Sequence, residues 1–402
     1  PIDHRAWSQQ KTAYTAEPSS PSIERDAAGV WQVCGFAEAR AILRSADTRQ
    51  AGFRAELLER LPIAMKNLPI LYQEGKTHQL QRKQTARFFT PRAVSSAYRL
   101  LMERLADQLI GKLQRARHAE LSELSMTLAV RVAGEVVGLT SSHLPGLEKR
   151  LDAFFARGIP ALRWHPLALA RFLRTQRDLL AFFYLDVRPA IRARKRQPRE
   201  DVISHLIAQG YSDSEILTEC VTYAAAGMAT TREFISVAAW HFLDQPALRA
   251  RYLAAPEAER QEMLQEILRL EPVVGHLYRR ATADIQLESA GGPITIKPGE
   301  LIDLHIYAAN ADEHIVGAQP LALCPGRVLR AERVPTAVMG FGDGHHRCPG
   351  AYIAIQETDI FLQRLLALEG LRIERAPSVA WNDLVPGYEL RSFYISAAPQ
   401  ET

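Results

Sequence analysis

One cysteine lies in a loop whose residue types suit metal binding. Residues 341–350 read Phe-Gly-Asp-Gly-His-His-Arg-Cys-Pro-Gly, and Gly340 precedes them. Glycines at this density let the backbone turn tightly around Cys348 and direct amide N–H groups at its sulfur. A thiolate held in this way is a suitable metal ligand, because the donated hydrogen bonds and the metal charge stabilise the anion. The pattern therefore favours a metal–thiolate centre at Cys348.

Three other interpretations of this loop compete with that centre. Residues 342–344, Gly-Asp-Gly, could cradle a phosphate, but no strand precedes them and no Lys-Ser/Thr pair follows. His345, His346 and Cys348 could bind zinc, but no second ligand pair lies nearby at finger spacing. Cys348 could also be a free buried cysteine, an interpretation that the spaced glycines argue against.

Two pairs of charged or polar residues have the spacing that places both members on one face of a helix. His78 and Arg82 are four residues apart, so a helix would present both on one face, where two donors could clamp carboxylates. Glu266 and Arg269 are three residues apart and form an acid–base pair of a kind common on exposed helix surfaces. Neither pair is specific by itself.

A long helix is predicted from Ser212 to Leu243, about 45 Å at a rise of about 1.5 Å per residue. Ser212 and Glu215 make a capping box at its start, and Asp-Gln-Pro at 244–246 ends it. Its middle, residues 224–231, reads Ala-Ala-Ala-Gly-Met-Ala-Thr-Thr. Small residues let a large flat group approach the backbone, and they equally suit close helix packing, so both interpretations stay open.

These segments together resemble the cytochrome P450 superfamily. Residues 341–350 match the family's FGxGxHxCxG signature position for position. The resemblance implies that Cys348 is the thiolate ligand of the haem iron and that Phe341, Gly342, His346 and Gly350 contact the cofactor.

The other pairs gain roles from the same resemblance. His78 and Arg82 are similar to the family's HxxxR motif, and Arg279 is similar to its propionate-binding arginine. These residues, with His346, are expected to bind the haem propionates. Glu266 and Arg269 resemble the ExxR motif, which implies a buried structural ion pair that supports the cysteine loop.

Residues 226–231 resemble the family's AGx(D/E)TT motif, the oxygen-binding groove over the haem. The resemblance implies that Ala226 and Gly227 contact the cofactor and that Thr230 and Thr231 are catalytic, handling oxygen and protons. Ala229, however, stands where the family has an acid. This departure keeps open a peroxygenase, a nitric-oxide-using enzyme or an oxidative coupling catalyst, and more remotely a non-catalytic haem or gas-binding protein.

The missing acid leaves two routes for protons. Glu233 lies one turn from Ala229 and could act through water. Alternatively, the substrate's own polar group, or a water chain anchored by Thr230 and Thr231, could complete the route. We favour the water chain, because Glu233 sits beside Arg232 and can pair with it.

The fold implied is mostly α with a small β lobe, as a single-domain cytochrome P450 fold over residues 1–402. The β lobe is expected from about 28–35, 284–306 and 385–397. Alternating segments at 285–287, 294–296 and 301–306 predict one small antiparallel sheet.

The function implied is a haem-thiolate monooxygenase that inserts one oxygen atom from dioxygen into an organic substrate. The cofactor implied is haem b, iron protoporphyrin IX. No flavin or nicotinamide segment fits in 402 residues used by one fold, so a ferredoxin or flavodoxin is expected to supply electrons. Arg347 and the basic residues Arg82, Lys83 and Arg87 are the predicted docking face.

The substrate is expected to be small and largely apolar. Mostly apolar segments at 61–71, 154–164, 273–277 and 386–388 fall where the family lines its substrate pocket. Lys66 and His276 are candidate polar contacts to the substrate.

Composition excludes several other classes of protein. The chain is 47% hydrophobic and 23% charged, as globular proteins are, and its net charge of +4 does not indicate nucleic-acid binding. No run approaches the roughly 20 apolar residues of a membrane span. The four cysteines contain no CxxC pair, and no signal segment opens the chain, so a reduced, cytoplasmic protein is expected.

Overall fold

The computed structural model describes residues 10–12, 21–53, 55, 67–157, 166–289, 292–382 and 385–398. Helices dominate the described chain, as predicted. The α-helices are Phe36–Arg44, Gly75–Thr85, Pro91–Ala93, Arg99–Ala116, Leu121–Val137, Leu147–Arg157, Pro166–Phe182, Arg188–Arg196, Val202–Ala208, Asp213–Tyr223, Thr230–Asp244, Pro246–Ala254, Glu257–Leu270, Ile306–Ala309, Glu313–Val316 and Ala351–Leu366. Wider π-turns occupy Val94–Tyr98, Phe183–Val187 and Ala224–Ala229, and 3₁₀ turns occupy Ile70–Tyr72, Ala86–Phe88 and Gly344–His346.

The strands are short and distributed along the chain. They are β1 (Ile23–Arg25), β2 (Trp31–Val33), β3 (Thr48–Gln50), β4 (His118–Glu120), β5 (His276–Ala281), β6 (Ile285–Ser289), β7 (Gly292–Ile296), β8 (Leu301–His305), β9 (Arg372–Arg375), β10 (Ser378–Asn382), β11 (Gly387–Arg391) and β12 (Tyr394–Ser396).

The predicted long helix, called the central helix below, runs from residue 213 to 244. Ser212 accepts a hydrogen bond from the backbone of Glu215, and the Glu215 carboxylate accepts one from the backbone of Ser212, so the capping box is confirmed. The sequence did not predict the π-turns at Ala224–Ala229, which interrupt the helix at its small-residue tract. Such interruptions widen the turn locally and are frequent at functional sites.

The predicted small antiparallel sheet was wrong in its pairing. β6 and β7 do pair with each other, as a hairpin with Ile285 opposite Ile296. β8 instead lies in a five-stranded sheet of order β1-β2-β8-β5-β3, parallel to β2 and antiparallel to β5. Period-2 alternation identifies strands but does not encode their partners, which distant residues supply.

The predicted β lobe is likewise divided among separate sheets. β11 pairs with β10, and β12 lies between β4 and β9, so the strands within 385–397 do not join the sheet that contains β2. Of the predicted segments, 28–35 and 301–306 are the ones that share a sheet.

Two apolar cores hold these elements. The larger contains side chains of the central helix and of the helices Arg99–Ala116, Leu121–Val137 and Ala351–Leu366. The smaller lies between the five-stranded sheet and the helix Phe36–Arg44. Among the described residues, no helix combines the length and apolar character that crossing a bilayer requires.

Candidate functional site

The loop around Cys348, residues 340–350 and called the cysteine loop below, is held by its own backbone. The Cys348 N–H donates to the carbonyl of Phe341 at 2.9 Å, and the Gly350 N–H donates to the Cys348 sulfur. Gly342 and Gly344 have φ angles of +67° and +66°, the left-handed region that glycine adopts without strain. The predicted turn around the sulfur is therefore present.

The loop is also fixed against the helix Phe36–Arg44. A Cβ at Gly344 would lie 2.0 Å from the carbonyl oxygen of Leu43, so only glycine fits there. Asp343 accepts hydrogen bonds from Arg44 Nε at 3.0 Å and from the Gly344 N–H at 2.7 Å. Glycine and aspartate in the signature thus serve close packing rather than a phosphate.

The Cys348 side chain is exposed at the end of this loop. It has solvent-accessible surface, yet the surrounding protein is dense enough that burial raises the pKa of the thiol. The Gly350 N–H and the charges of Arg82 and Arg347 act in the opposite direction and favour the thiolate. A bound metal ion would complete the deprotonation, so the donor set fits a thiolate-ligated iron.

The predicted propionate-binding residues converge beside the cysteine loop. The imidazoles of His78 and His346 stack with their centroids 4.2 Å apart. Arg82 Nη2 donates to the carbonyl of Arg347 at 2.6 Å, which connects the helix Gly75–Thr85 to the cysteine loop. Burial lowers the pKa of His78 to about 4, so His78 is a neutral hydrogen-bonding group at neutral pH rather than a cation.

A carboxylate already lies among these donors. His346 Nε2 is 3.0 Å from the Oε2 atom of Glu74, and the positive charge of Arg279 also acts on Glu74. Although burial opposes ionisation, the contact with His346 holds the pKa of Glu74 below its usual range. Arg279 is itself buried, which lowers its pKa to about 10, and it donates to Gln50. This environment stabilises carboxylates, as haem propionates require.

The central helix presents its small residues to different surroundings. Ala226 is exposed although it lies mid-helix, whereas a Cβ at Gly227 would meet the Cβ of Ala133 at 3.8 Å. Ala226 therefore borders open space, whereas Gly227 faces the neighbouring helix that contains Ala133. The two interpretations of the small-residue tract thus apply to adjacent residues. Thr230 Oγ1 donates to the carbonyl of Ala226 at 2.6 Å.

Glu357 is an acid near this tract that sequence reasoning missed. It lies on the helix Ala351–Leu366, is 3% exposed, and is hydrogen-bonded to the side chain of Thr231. Burial raises the pKa of Glu357 well above its usual value, although the hydrogen bond with Thr231 acts in the opposite direction. Its Oε2 atom is buried without a hydrogen-bond partner. The residue is nine positions after Cys348, and only the helix packing reveals that it meets Thr231.

The carboxylate of Glu233, the other candidate acid, is hydrogen-bonded to groups of the central helix and of β11. It accepts hydrogen bonds from Arg232 Nε at 2.8 Å, Arg391 Nη1 at 2.7 Å and the Leu390 N–H at 2.8 Å. These contacts connect the central helix to β11. Pairing with Arg232 is the alternative that the sequence favoured for Glu233.

Glu266 and Arg269 form a buried ion pair. Arg269 Nε and Nη2 donate to the two Glu266 oxygens at 2.7 and 2.8 Å, and both side chains are at most 1% exposed. Arg327 Nε and the Cys324 N–H also donate to Glu266, at 3.0 and 3.1 Å. Arg269 in turn donates to the carbonyl of Asn310 at 3.0 Å, while the Asn310 side chain accepts from the Met339 N–H at 2.8 Å, one residue before the cysteine loop.

The structure describes some of the predicted substrate contacts and not others. His276 and Tyr278 lie on the opposite face of β5 from Leu277 and the buried Arg279, so the contact of His276 with substrate stays a prediction. Tyr388 is a core residue, 2% exposed, whose hydroxyl donates to the carbonyl of Glu271. Lys66, with residues 61–66 and 158–164, lies outside the described residues.

Comparison with known proteins agrees with this site. A family model described as Cytochrome P450 matches residues 260–368, which include the ion pair and Cys348. The Biotin biosynthesis cytochrome P450 of Bacillus subtilis (strain 168) is 27% identical over 353 residues, covering 84% of this chain and 82% of that protein. Cyclomarin C epoxidase CymV of Salinispora arenicola (strain CNS-205) is 28% identical, covering 72% and 70%. The crystal structure of CalO2 superposes with a TM-score of 0.76 and 23% identity, covering 95% of this chain and 94% of that one.

Proposed function

This chain belongs to the cytochrome P450 superfamily of monooxygenases, and from that premise we propose that it binds haem b and inserts one oxygen atom of dioxygen into a largely apolar organic substrate. The observation that carries the proposal is the Cys348 side chain, which has accessible surface while accepting a hydrogen bond from the Gly350 N–H. A thiol in that position is available to a metal, and the Gly350 N–H would stabilise the thiolate once a metal ion is bound.

The residues that would hold the cofactor divide by chemistry. Cys348 would supply a thiolate to the iron, and the side chains of His78, Arg82, Arg279 and His346 would bind the propionates. When bound, the haem would supply the activation of dioxygen, and thiolate ligation would favour O–O cleavage. Glu74, whose Oε2 atom lies 3.0 Å from His346 Nε2, would share that donor with a propionate.

Proton handling is assigned to Thr230, Thr231 and Glu357. The Thr230 hydroxyl is oriented by its hydrogen bond to the carbonyl of Ala226, next to the open space that Ala226 borders. The Glu357 carboxyl contacts Thr231, and burial raises its pKa, so it can hold a proton, donate it through that hydroxyl and recover it from water. Glu357 would thus supply the acid that is missing at position 229. This route extends the water chain anchored by Thr230 and Thr231 that was inferred from the sequence.

Electrons are proposed to come from an acidic ferredoxin or flavodoxin that docks beside the cysteine loop. Lys83, Arg87 and Arg347 are exposed there. An adjoining surface groove is lined by further arginines, Arg40, Arg44 and Arg333. A partner of opposite charge would be steered to this face by long-range attraction.

A peroxygenase is the alternative that a specific observation favours. Ala229 is 7% exposed and carries no ionisable group, so a route through position 229 is absent. An enzyme that takes peroxide directly needs no delivery of two protons to bound dioxygen. The two functions therefore differ in which oxidant sustains turnover.

The experiment compares those oxidants on one preparation. Compounds that displace the iron-bound water are first found by absorption spectroscopy, and each is then incubated with a reduced ferredoxin and dioxygen, or with hydrogen peroxide alone. We expect product with reductant and dioxygen and little with peroxide. Equal or greater turnover with peroxide alone would replace the monooxygenase proposal with the peroxygenase. The single domain over residues 1–402 and the cytoplasmic location stay predictions.

A further inference from the structure

One face of the five-stranded sheet carries two histidines and an aspartate on adjoining strands. His276 in β5 lies directly opposite His305 in β8, and Asp303 is two residues before His305, so all three side chains share a face. His276 Nδ1 lies 2.8 Å from Asp303 Oδ1, and His305 Nε2 lies 3.9 Å from Asp303 Oδ2. One ligand atom from each residue falls within 4.8 Å of the other two.

This face is separate from the site already described. Leu277 and Arg279, which alternate with His276 along β5, lie on the other face with Ile302 and Leu304. The two histidines therefore lie on the face of the sheet opposite to Leu277 and Arg279. They are also partly accessible, because the His276 and His305 side chains are 25% and 30% exposed.

We propose that His276, Asp303 and His305 bind one Zn²⁺ ion, with water in the fourth position. Imidazole nitrogen and carboxylate oxygen are ligand types that zinc takes, and three protein ligands plus water make an open tetrahedral site. At bond lengths of about 2.0–2.2 Å, tetrahedral ligand atoms lie roughly 3.3–3.5 Å apart. His276 Nδ1 lies 2.8 Å from Asp303 Oδ1, His305 Nε2 lies 3.9 Å from Asp303 Oδ2, and one ligand atom of each residue lies within 4.8 Å of the others, so the three groups are close to that spacing.

The surroundings favour a cation and orient its ligands. The ring of Tyr278 stacks on His276 with centroids 6.2 Å apart, and the ring of Trp381 packs edge-on at 5.6 Å, so the imidazole is held in place. Burial raises the pKa of Cys34 to about 11, and the negative charges of Glu24 and Asp303 contribute to that increase. Glu24 and Asp303 thus place negative charge near Cys34, which directly follows β2, the strand that pairs with β8.

Binding would exchange one existing contact. His305 Nε2 now lies 2.6 Å from Gln32 Oε1, and this nitrogen must leave that hydrogen bond to bind zinc, with the proton on Nδ1. The ion would then connect β5 to β8 through side chains as well as through backbone hydrogen bonds. Because the unfolded chain lacks the assembled site, zinc is expected to raise the melting temperature.

The test uses the haem-loaded enzyme after treatment with EDTA and dialysis. Zinc chloride is titrated by calorimetry, and zinc and iron are counted by mass spectrometry after gel filtration. We expect saturable binding of one zinc per chain. The single variants His276→Gln and His305→Gln are each expected to weaken binding at least about tenfold, as loss of a direct ligand exceeds loss of its supporting contacts.

His314→Gln is the matched control. His314 Nδ1 also lies near a carboxylate, 2.9 Å from Asp312 Oδ1, but in the part of the chain that the structure describes no third ligand residue completes a cluster around this pair. This variant should bind zinc as the parent does.

The haem absorption spectrum of each variant verifies its fold. If a histidine variant loses haem, Asp303→Asn is tested in its place, and the rise in melting temperature on adding zinc is measured for it. No saturable binding by the parent, unchanged binding by both histidine variants, or an equal loss in His314→Gln would overturn the proposal.

Discussion

The carboxylate of Glu266 accepts two parallel hydrogen bonds from the guanidinium of Arg269, at 2.7 Å from Nε and 2.8 Å from Nη2. Replacing Glu266 with alanine would leave Arg269 buried and unpaired. We expect the free energy of unfolding to fall by about 3–5 kcal/mol, and the protein to accumulate with less haem, because Arg269 and Asn310 connect the pair to the start of the cysteine loop. Denaturant unfolding and the ratio of haem to protein measure both effects.

The control for that variant lies on the same helix. Glu259 accepts from Arg251 Nη2 at 2.8 Å, but these side chains are 40% and 49% exposed. Glu259→Ala should change stability by about 0–1 kcal/mol. If Glu266→Ala matched it and retained full haem, the buried pair would have no supporting role.

Proton delivery is tested with Thr230 and Glu357. Thr230→Ala should divert reducing equivalents to peroxide, because the hydroxyl that orients protons near Ala226 is removed. Glu357→Gln keeps the shape of the side chain but cannot release a proton, so we expect turnover to slow by about 10²-fold or more if it is the acid. Oxygen consumption, peroxide and product are measured together, and the solvent isotope effect should rise in the Glu357 variant.

Thr358→Val provides the comparison for Glu357. Thr358 is the next residue on the same helix, fully buried, and its Oγ1 atom has no hydrogen-bond partner. Its replacement disturbs the same packing without touching Thr231, so coupling should be unchanged. Normal coupling in Thr230→Ala and normal turnover in Glu357→Gln would exclude this route.

The reduction rate should depend on salt. At about 0.1 M ionic strength charges separated by more than about 10 Å are largely screened, so attraction between the exposed basic face and an acidic donor weakens as salt is added. Lys83→Glu and Arg347→Glu should each slow reduction at low salt and flatten its salt dependence. Lys195→Glu, on an exposed pair with Asp213 elsewhere, is the control. If the reduction rate changed neither with salt nor with charge reversal at Lys83 and Arg347, the donor would dock on another surface.

Stability should depend on pH through Glu219. This side chain is 1% exposed, and burial raises its pKa to about 7 from 4.5, although Gln81 Nε2 and the Ile70 N–H donate to it. The folded state then binds more protons than the unfolded state between these values, so this contribution to stability is complete below about pH 4.5 and is lost as pH rises through 7. Glu219→Gln should stabilise the protein above pH 7, by at most about 3 kcal/mol, and have little effect near pH 4.

Glu215, one turn earlier, should show the opposite sign. Although burial acts against it, hydrogen bonds from Ser212 and Asn67 lower its pKa. Its contribution is therefore present at neutral pH and lost as the carboxylate is protonated, so Glu215→Gln should cost stability at pH 7 and little in acid. Thermal melting from pH 4 to 8 compares the two variants. Parallel curves for Glu219→Gln and the parent would show that Glu219 does not titrate in this range.

The sequence was sufficient to predict local structure where a single segment contains all the residues that determine it. The cysteine loop and the capping box at Ser212 depend on neighbouring residues, and both have the predicted local geometry. It was insufficient where two distant segments meet. The partners of β8 and the contact between Thr231 and Glu357 arise from packing between segments distant in the chain, which neither periodicity nor motif spacing records. The π-turns at Ala224–Ala229 were likewise not predicted, because helical periodicity does not distinguish a single π-turn from α-helical turns.

The most direct test of this account is the absorption spectrum of the reduced carbon monoxide complex in Cys348→Ser. A hydroxyl cannot donate charge to iron as a thiolate does, so the thiolate-type absorption should disappear while the chain stays folded. Cys324→Ser, which replaces another exposed cysteine, should retain that absorption. If Cys348→Ser kept the thiolate-type spectrum, or if Cys34→Ser, Cys220→Ser or Cys324→Ser abolished it instead, Cys348 would not be the iron ligand and the central claim would be wrong.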